Sequence, residues 1–309
     1  MFNYLLCYFR LKSMLKIGQV YYDYDMRQHS TFRIGGKAKV FVKVASLEEV
    51  IKVHHYVTTH DINYFILGNG SNTLISSHGF KGVVIYFGQG FSSIKVEGTH
   101  ILADAGAYVS QVFTVAKAHE LSGLEGTAGL PASVGGMVYM NASCFGFETS
   151  SIVSSVLALV DGKIRLFSCK ECGFGYRDSV FQHMDRPIIL RVEFSLTHAS
   201  IVDIESRRVD VLKKRLDIQP KGYSCGCVFR RKDGLQVSKM LDDLGVKGAS
   251  VGDSFVSDKH ANFIINRGKA TSADVIQLIH NIEDRFYDAY GISLDREIEF
   301  LGDRDEIIR

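Results

Sequence analysis

Proline occurs only three times in 309 residues, at Pro131, Pro187 and Pro220, and no segment is repeated or of low complexity. The chain therefore offers neither a proline-rich linker nor a repeat array. Charge of one sign is lacking too: 36 Lys and Arg face 34 Asp and Glu, a formal +2, which argues against a nucleic-acid partner and against a membrane-surface field. No apolar run is long enough to cross a bilayer. The opening stretch MFNYLLCYFRLKSMLKI is broken by Arg10, Lys12 and Lys16 and lacks a small-residue cleavage pattern, and Met14 is an alternative start. Disulfides are not expected, because six cysteines (Cys7, Cys144, Cys169, Cys172, Cys225, Cys227) fit a reducing, cytoplasmic compartment. Cys169-Lys-Glu-Cys172 and Cys225-Gly-Cys227 do not have the spacing of a zinc knuckle, so no metal is expected.

What the chain does have is 46% hydrophobic content, enough to fill about two cores. AKVFVKV (38–44) alternates like a half-buried strand. SLEEVIKVHHYVTTH (46–60) has helical spacing behind a Ser46 cap, and YFIL (64–67) is a strand again, which makes a β-α-β unit. SQVFTVAKAHE (110–120) predicts a second amphipathic helix. From about residue 200 the texture turns helical and charged: IESRRVDVLKKRL, SKMLDDLG, and a long helix SADVIQLIHNIEDRFYDAYG ending at Gly291. These features predict an α+β protein with an N-terminal extension (1–24), a first domain (25–199) and a second (200–309).

Two glycine-rich stretches stand out. LGNGSNTLISSHGF (67–80) packs Gly68, Asn69, Gly70, Ser71 and Asn72 between apolar runs. AGLPASVGGMVYMNA (128–142) does the same with Gly129, Ser133, Gly135 and Gly136. Each could be a tight turn, or a nest of N–H groups that receives a phosphate. Neither is the G-x-G-x-x-G of a dinucleotide fold, and two nests in one domain favour a pyrophosphate.

HSTFRIGGKA (29–38), LGNGSNTLIS (67–76), GLEGTAGLPASVGGMVYMNA (123–142), FGYRDSVF (174–181), KHANFIIN (259–266) and GISLDREIEFLG (291–302) follow in order along the chain. Together they resemble the UDP-N-acetylenolpyruvoylglucosamine reductases, flavoenzymes of peptidoglycan precursor synthesis. The short stretch between Phe194 and Ile204 resembles their shorter subclass. The resemblance implies a vanillyl-alcohol-oxidase/PCMH-type FAD domain whose glycine loops hold the FAD pyrophosphate, followed by a smaller α+β domain for the UDP-sugar. It also implies NADPH as reductant, hydride delivery to C3 of the enolpyruvyl ether, and protonation at C2. Arg177 then falls at the charge-stabilising position beside Tyr176 on the substrate, and Glu297 at the position that orients the proton donor.

The family pattern is broken at the donor itself. YSCGCVFRR (223–231) places Cys227 where a serine is usual, and Arg231 where an asparagine is usual. A thiol is more acidic than a hydroxyl, so donation should survive. Arg231 can still grip a diphosphate. The resemblance further implies roles in cell-wall biogenesis, cell shape and cell division for a cytoplasmic monomer with no membrane partner. The competing readings are an FAD oxidase of the same fold and a non-enzymatic sensor using Cys225 and Cys227. No histidine lies inside TFRIGGKA to tether FAD as such oxidases often do, and His78 fits a solvated turn.

Overall fold

Caps and alternation account for the first elements of the computed structural model, which describes residues 3–232 and 234–302. Helix α1 (Tyr4–Met14) begins at Asn3, whose side chain accepts the Leu6 N–H at 3.1 Å. It buries Cys7 and Leu11 and turns Leu5, Leu6 and Phe9 outward. Lys37–Val44 forms the expected strand, burying Ala38, Val40, Val42 and Val44 on one face, but Phe41 is buried too, so its centre is covered on both faces. Ser46 then accepts the Glu49 N–H at 3.2 Å and caps helix α2 (Leu47–Thr59), whose Val50, Val53 and Val57 are buried. The segment after α1 is pinned by one carboxylate. Glu49, 3% exposed, accepts the N–H groups of Lys16 (3.0 Å), Ile17 (2.7 Å), Gly18 (2.9 Å) and Ala45 (3.0 Å). Burial raises this carboxyl, but the four donors outweigh it and hold Glu49 below the usual range.

The chain forms two compact units that interleave along the sequence. One holds residues up to Tyr21, Phe41–Asn69 and Val84–Asp217; the other holds Tyr22–Val40, Gly70–Val83 and the described residues from Ile218 onward. A four-stranded sheet has the order Gln19–Asp25, Lys37–Val44, Phe80–Phe87, Tyr64–Leu67, so the strands of the β-α-β unit are not neighbours.

In the first unit a five-stranded antiparallel sheet has the order Lys163–Ser168, Val153–Val160, Ile188–Ser195, His100–Asp104, Ile94–Glu97. Helices α3 (Val109–Ala118) and α4 (Val134–Tyr139) belong here. So does α5 (Ile201–Ile218) as far as Asp217. Arg207 on α5 donates to Glu125 Oε1 at 3.1 and 3.0 Å, and Gly123 N–H and Ser122 Oγ reach the same carboxylate at 2.7 and 2.8 Å. The textural change near residue 200 is thus the start of α5, and the chain leaves this unit at 217/218.

In the second unit a three-stranded antiparallel sheet (Ser250–Val251, Ser254–Val256, Ile264–Asn266) packs with α6 (Val237–Asp243) and α7 (Ser272–Tyr290) around one core. A Thr271–Asp274 capping box starts α7, and Gly291, at φ +67, ends it. Phe32, Ile34 and Leu74, distant in sequence, lie in the same core as Val228, Phe229, Leu241, Ile279 and Phe286. Thr73–Ile75 pairs in parallel with Glu299–Leu301.

Candidate active site

Gly68 and Asn69, the part of the first glycine stretch that lies in the first unit, meet the second stretch there. A Cβ on Gly68 would overlap Ser133 Oγ, and Asn69 Nδ2 donates to Pro131 O at 2.6 Å. Gly70, at φ +61, has no room for a Cβ against His29 O. Among the described residues nothing accepts a hydrogen bond from the N–H groups of Asn69, Gly70, Ser71 and Asn72. Four successive free donors on a glycine turn are suited to phosphate oxygens. The second stretch differs: Val134 and Gly135 donate to Ala107 O and Ala105 O (2.9 Å each), and Gly136 to Ser133 Oγ (3.4 Å). Gly135 is needed for contact, since a Cβ there would sit 3.0 Å from Ala105 Cβ. Gly129, at φ +74, lies under Arg215, whose Nε donates to Ala128 O at 2.9 Å.

Tyr176 and Arg177 form a two-residue turn, closed by Gly175 N–H to Asp178 O (3.0 Å) and Asp178 N–H to Gly175 O (3.2 Å). Arg177 occupies the turn's second central position at φ +54, a conformation that normally selects Gly or Asn. Such strain persists where surroundings impose it. Asn141 Nδ2 holds Gly175 O at 2.7 Å, and Gln182 Nε2 holds Arg177 O at 3.0 Å. The guanidinium reaches Ser143 Oγ at 3.4 Å and lies 5.9 Å from the Tyr176 ring centre. Asp178 pairs with His183 at 2.8 Å.

In the second unit Cys227 forms a bridge to Phe263, and the next two residues are stapled by Asn262, 3% exposed. Its Oδ1 accepts the N–H groups of Val228 (3.2 Å) and Phe229 (2.8 Å), and its Nδ2 donates to Phe229 O (2.8 Å). Glu297, 8% exposed, donates its own N–H to Val228 O at 2.7 Å, which sets it opposite the residue after Cys227. Asn72 ties the first glycine stretch to this segment: its Nδ2 donates to Glu297 O at 2.9 Å, and its O accepts the Glu299 N–H at 2.8 Å. Thr31 Oγ1 donates to Ser224 O at 2.7 Å from the other side. Burial pushes the Cys225 thiol up to about 12, with the nearby Cys227 and Glu297 adding to the rise. Glu299 is also raised by burial, against the pull of Arg230. Arg231 is exposed.

Comparison with known proteins gives this arrangement a family. Residues 219–301 match the model for the UDP-N-acetylenolpyruvoylglucosamine reductase C-terminal domain, and residues 38–167 match an FAD binding domain. The chain is 38% identical to the UDP-N-acetylenolpyruvoylglucosamine reductase of Caldanaerobacter subterraneus subsp. tengcongensis, over 96% of this chain and 98% of that one. The chain belongs to the UDP-N-acetylenolpyruvoylglucosamine reductase family. It is 37% identical to the Syntrophomonas wolfei reductase over 90% of this chain and 93% of that one. The crystal structure of the Thermus caldophilus reductase superposes with a TM-score of 0.78 at 31% identity, covering 92% of this chain and 98% of that one. The fold is the expected α+β one, with an FAD-binding domain.

The side chains that hold these segments were not singled out by the sequence. Asn262 lies inside KHANFIIN, and Asn141 closes GGMVYMNA, but a motif does not say which side chain is the staple. Gln182, just beyond FGYRDSVF, carries no signal in sequence.

Proposed function

We propose that this chain is an NADPH-dependent flavoprotein reductase that converts UDP-N-acetylenolpyruvoylglucosamine to UDP-N-acetylmuramate for peptidoglycan synthesis, acting in the cytoplasm as a monomer. The observation that supports the reading is the buried hydrogen-bonded segment after Cys227, where Val228 O accepts the Glu297 N–H and Asn262 staples Val228 and Phe229. FAD fits the first glycine stretch: Gly68, Asn69, Gly70, Ser71 and Asn72 leave no space for side-chain carbons at two positions and offer unengaged donors. Gly129, Ser133, Gly135 and Gly136 would contribute close approach instead. When bound, the group supplies transfer of hydride from NADPH to C3 of the enolpyruvyl ether.

Hydride at C3 builds negative charge on C2 and the adjacent carboxylate. The permanently charged Arg177, fixed by its strained turn, would stabilise it, and Tyr176 would pack on the substrate. Cys227 would give its S–H proton to C2, forming the C–H bond and leaving a thiolate that solvent reprotonates before the next turnover. Glu297 would orient the thiol or the water that recharges it. Arg231, exposed on the segment after Phe229, would take the diphosphate. In this reading residues 25–199 serve the cofactor and 200–309 the substrate. The sensor alternative needs two ready thiols, and Cys225, buried with its thiol pushed up to about 12, is not one.

The test is anaerobic. NADPH should bleach the bound flavin, and the enolpyruvyl sugar nucleotide should restore its colour without oxygen. Restoration by oxygen alone would identify an oxidase, and bleaching that neither reagent reverses would point to a sensor.

A further inference from the structure

Helix α1 has two apolar faces, and only one is covered. Cys7 and Leu11 are buried, whereas Leu5, Leu6 and Phe9 are 48%, 53% and 57% exposed. At 3.6 residues per turn these three fall within an arc of about 100° opposite Cys7 and Leu11, with Lys12 at one border and Arg10 at the other. Both cations are exposed, and Lys12 Nζ leans over Tyr8, donating to its hydroxyl at 3.0 Å. Just past the helix, Lys16 and Ile17 are exposed on the segment that Glu49 pins. No Asp or Glu occurs before Asp23. The near-neutral total conceals this segregation: without Arg10, Lys12 and Lys16, 33 basic residues face 34 acidic ones.

We propose that α1 docks this protein on anionic lipid surfaces, with Leu5, Leu6 and Phe9 in the interface and Arg10, Lys12 and Lys16 at the phosphates. An exposed apolar arc bordered by cations on both sides matches an in-plane interfacial helix. A second copy of the chain is the poorer occupant, because self-docking would bring like charges together with no acid in the segment to offset them. The charge balance of the whole sequence argues against a membrane-surface partner only if charge is spread evenly, and here it is not. Among the described residues no helix is long and apolar enough to cross a membrane, so the attachment is to one face.

The chain has no tryptophan, so Phe9→Trp in the full-length protein gives a single reporter at the centre of the arc. Its emission should shift to the blue on phosphatidylcholine vesicles containing phosphatidylglycerol, and not on phosphatidylcholine alone. Leu5→Ser with Leu6→Ser should weaken co-sedimentation with anionic vesicles more than tenfold. Lys12→Glu should weaken it about 25-fold, roughly fivefold per unit of charge, and high salt should do the same. NADPH oxidation in solution should stay unchanged in each variant, which checks folding. The proposal is overturned if anionic vesicles leave the emission unmoved, if charge reversal leaves binding intact, or if the exposed leucines instead support a concentration-dependent dimer that the Ser changes abolish.

Discussion

Asn262→Ala should separate the two half-reactions. The side chain makes three hydrogen bonds to the segment after Cys227, but their loss is not uniform. Val228 N–H keeps a partner in the Asn262 backbone oxygen at 2.9 Å, whereas Phe229 N–H and Phe229 O lose theirs. Phe229 is 2% exposed, so water cannot readily replace them. Two orphaned buried groups at about 1–3 kcal/mol each predict a stability loss of about 2–6 kcal/mol by urea unfolding. A displacement of about 1 Å at Cys227 is enough to slow proton delivery about 10²-fold. Stopped-flow reduction by NADPH should therefore run near the wild-type rate, while reoxidation by the sugar nucleotide slows by that factor. Asn262→Asp keeps the acceptor for Phe229 N–H and should fall between the two. Reoxidation at the wild-type rate in a destabilised Ala variant would refute the claim that this staple positions the donor.

Further expectations rest on other residues. Cys227→Ala should bind FAD and accept hydride yet barely reoxidise, Cys227→Ser should recover much of the rate, and peroxide should inactivate only the wild type of these; unimpaired turnover in the Ala variant would place the donor elsewhere. Arg177→Ala should slow reoxidation about 10²-fold or more with less effect on flavin reduction, and Arg177→Gly, equally slow, should be more stable than the Ala variant by about 1 kcal/mol because φ is +54. Equal stability of the two would argue that the turn is unstrained. Gly70→Val should lose FAD on gel filtration; a yellow protein equal to wild type would dismiss the phosphate assignment. Glu49→Gln tests pH dependence: since the native carboxyl lies below its usual range, its contribution is present above about pH 4 and lost as pH falls through the native value. Thermal melts should show the wild type ahead at pH 7 and the gap closing in acid, and a constant gap would contradict the carboxylate's role.

Regular elements were legible because their signals are local. Lys37–Val44 alternates, Ser46 caps α2, and α7 stops at Gly291, each readable within a few residues. The three-residue strand Thr73–Ile75 was hidden inside what reads as a turn, because its partner Glu299–Leu301 lies at the far end of the chain. The interleaving of the units was equally invisible, since Phe32, Ile34 and Leu74 look like ordinary apolar residues until α7 is packed beside them. At the site, the motifs pointed to Arg177, Cys227 and Glu297. The left-handed backbone of Arg177 and the staple of Asn262 were not readable, as a polar residue at a bend resembles a solvated turn until its acceptors are known. Which glycine stretch keeps its donors unengaged is likewise a property of the folded backbone.

The interleaved core also sets an order of events during synthesis. Phe32, Ile34 and Leu74 leave the ribosome early, yet the side chains that cover them, from Val228 to Phe286, are made last. At about 5–20 residues per second the wait is on the order of tens of seconds. Throughout it, three large apolar side chains and the unpaired edge of Thr73–Ile75 have no native partner. The nascent chain is thus most exposed to misassociation near its beginning, and a released chain ending just short of Glu299 would hold most of the second unit's core while lacking its last strand.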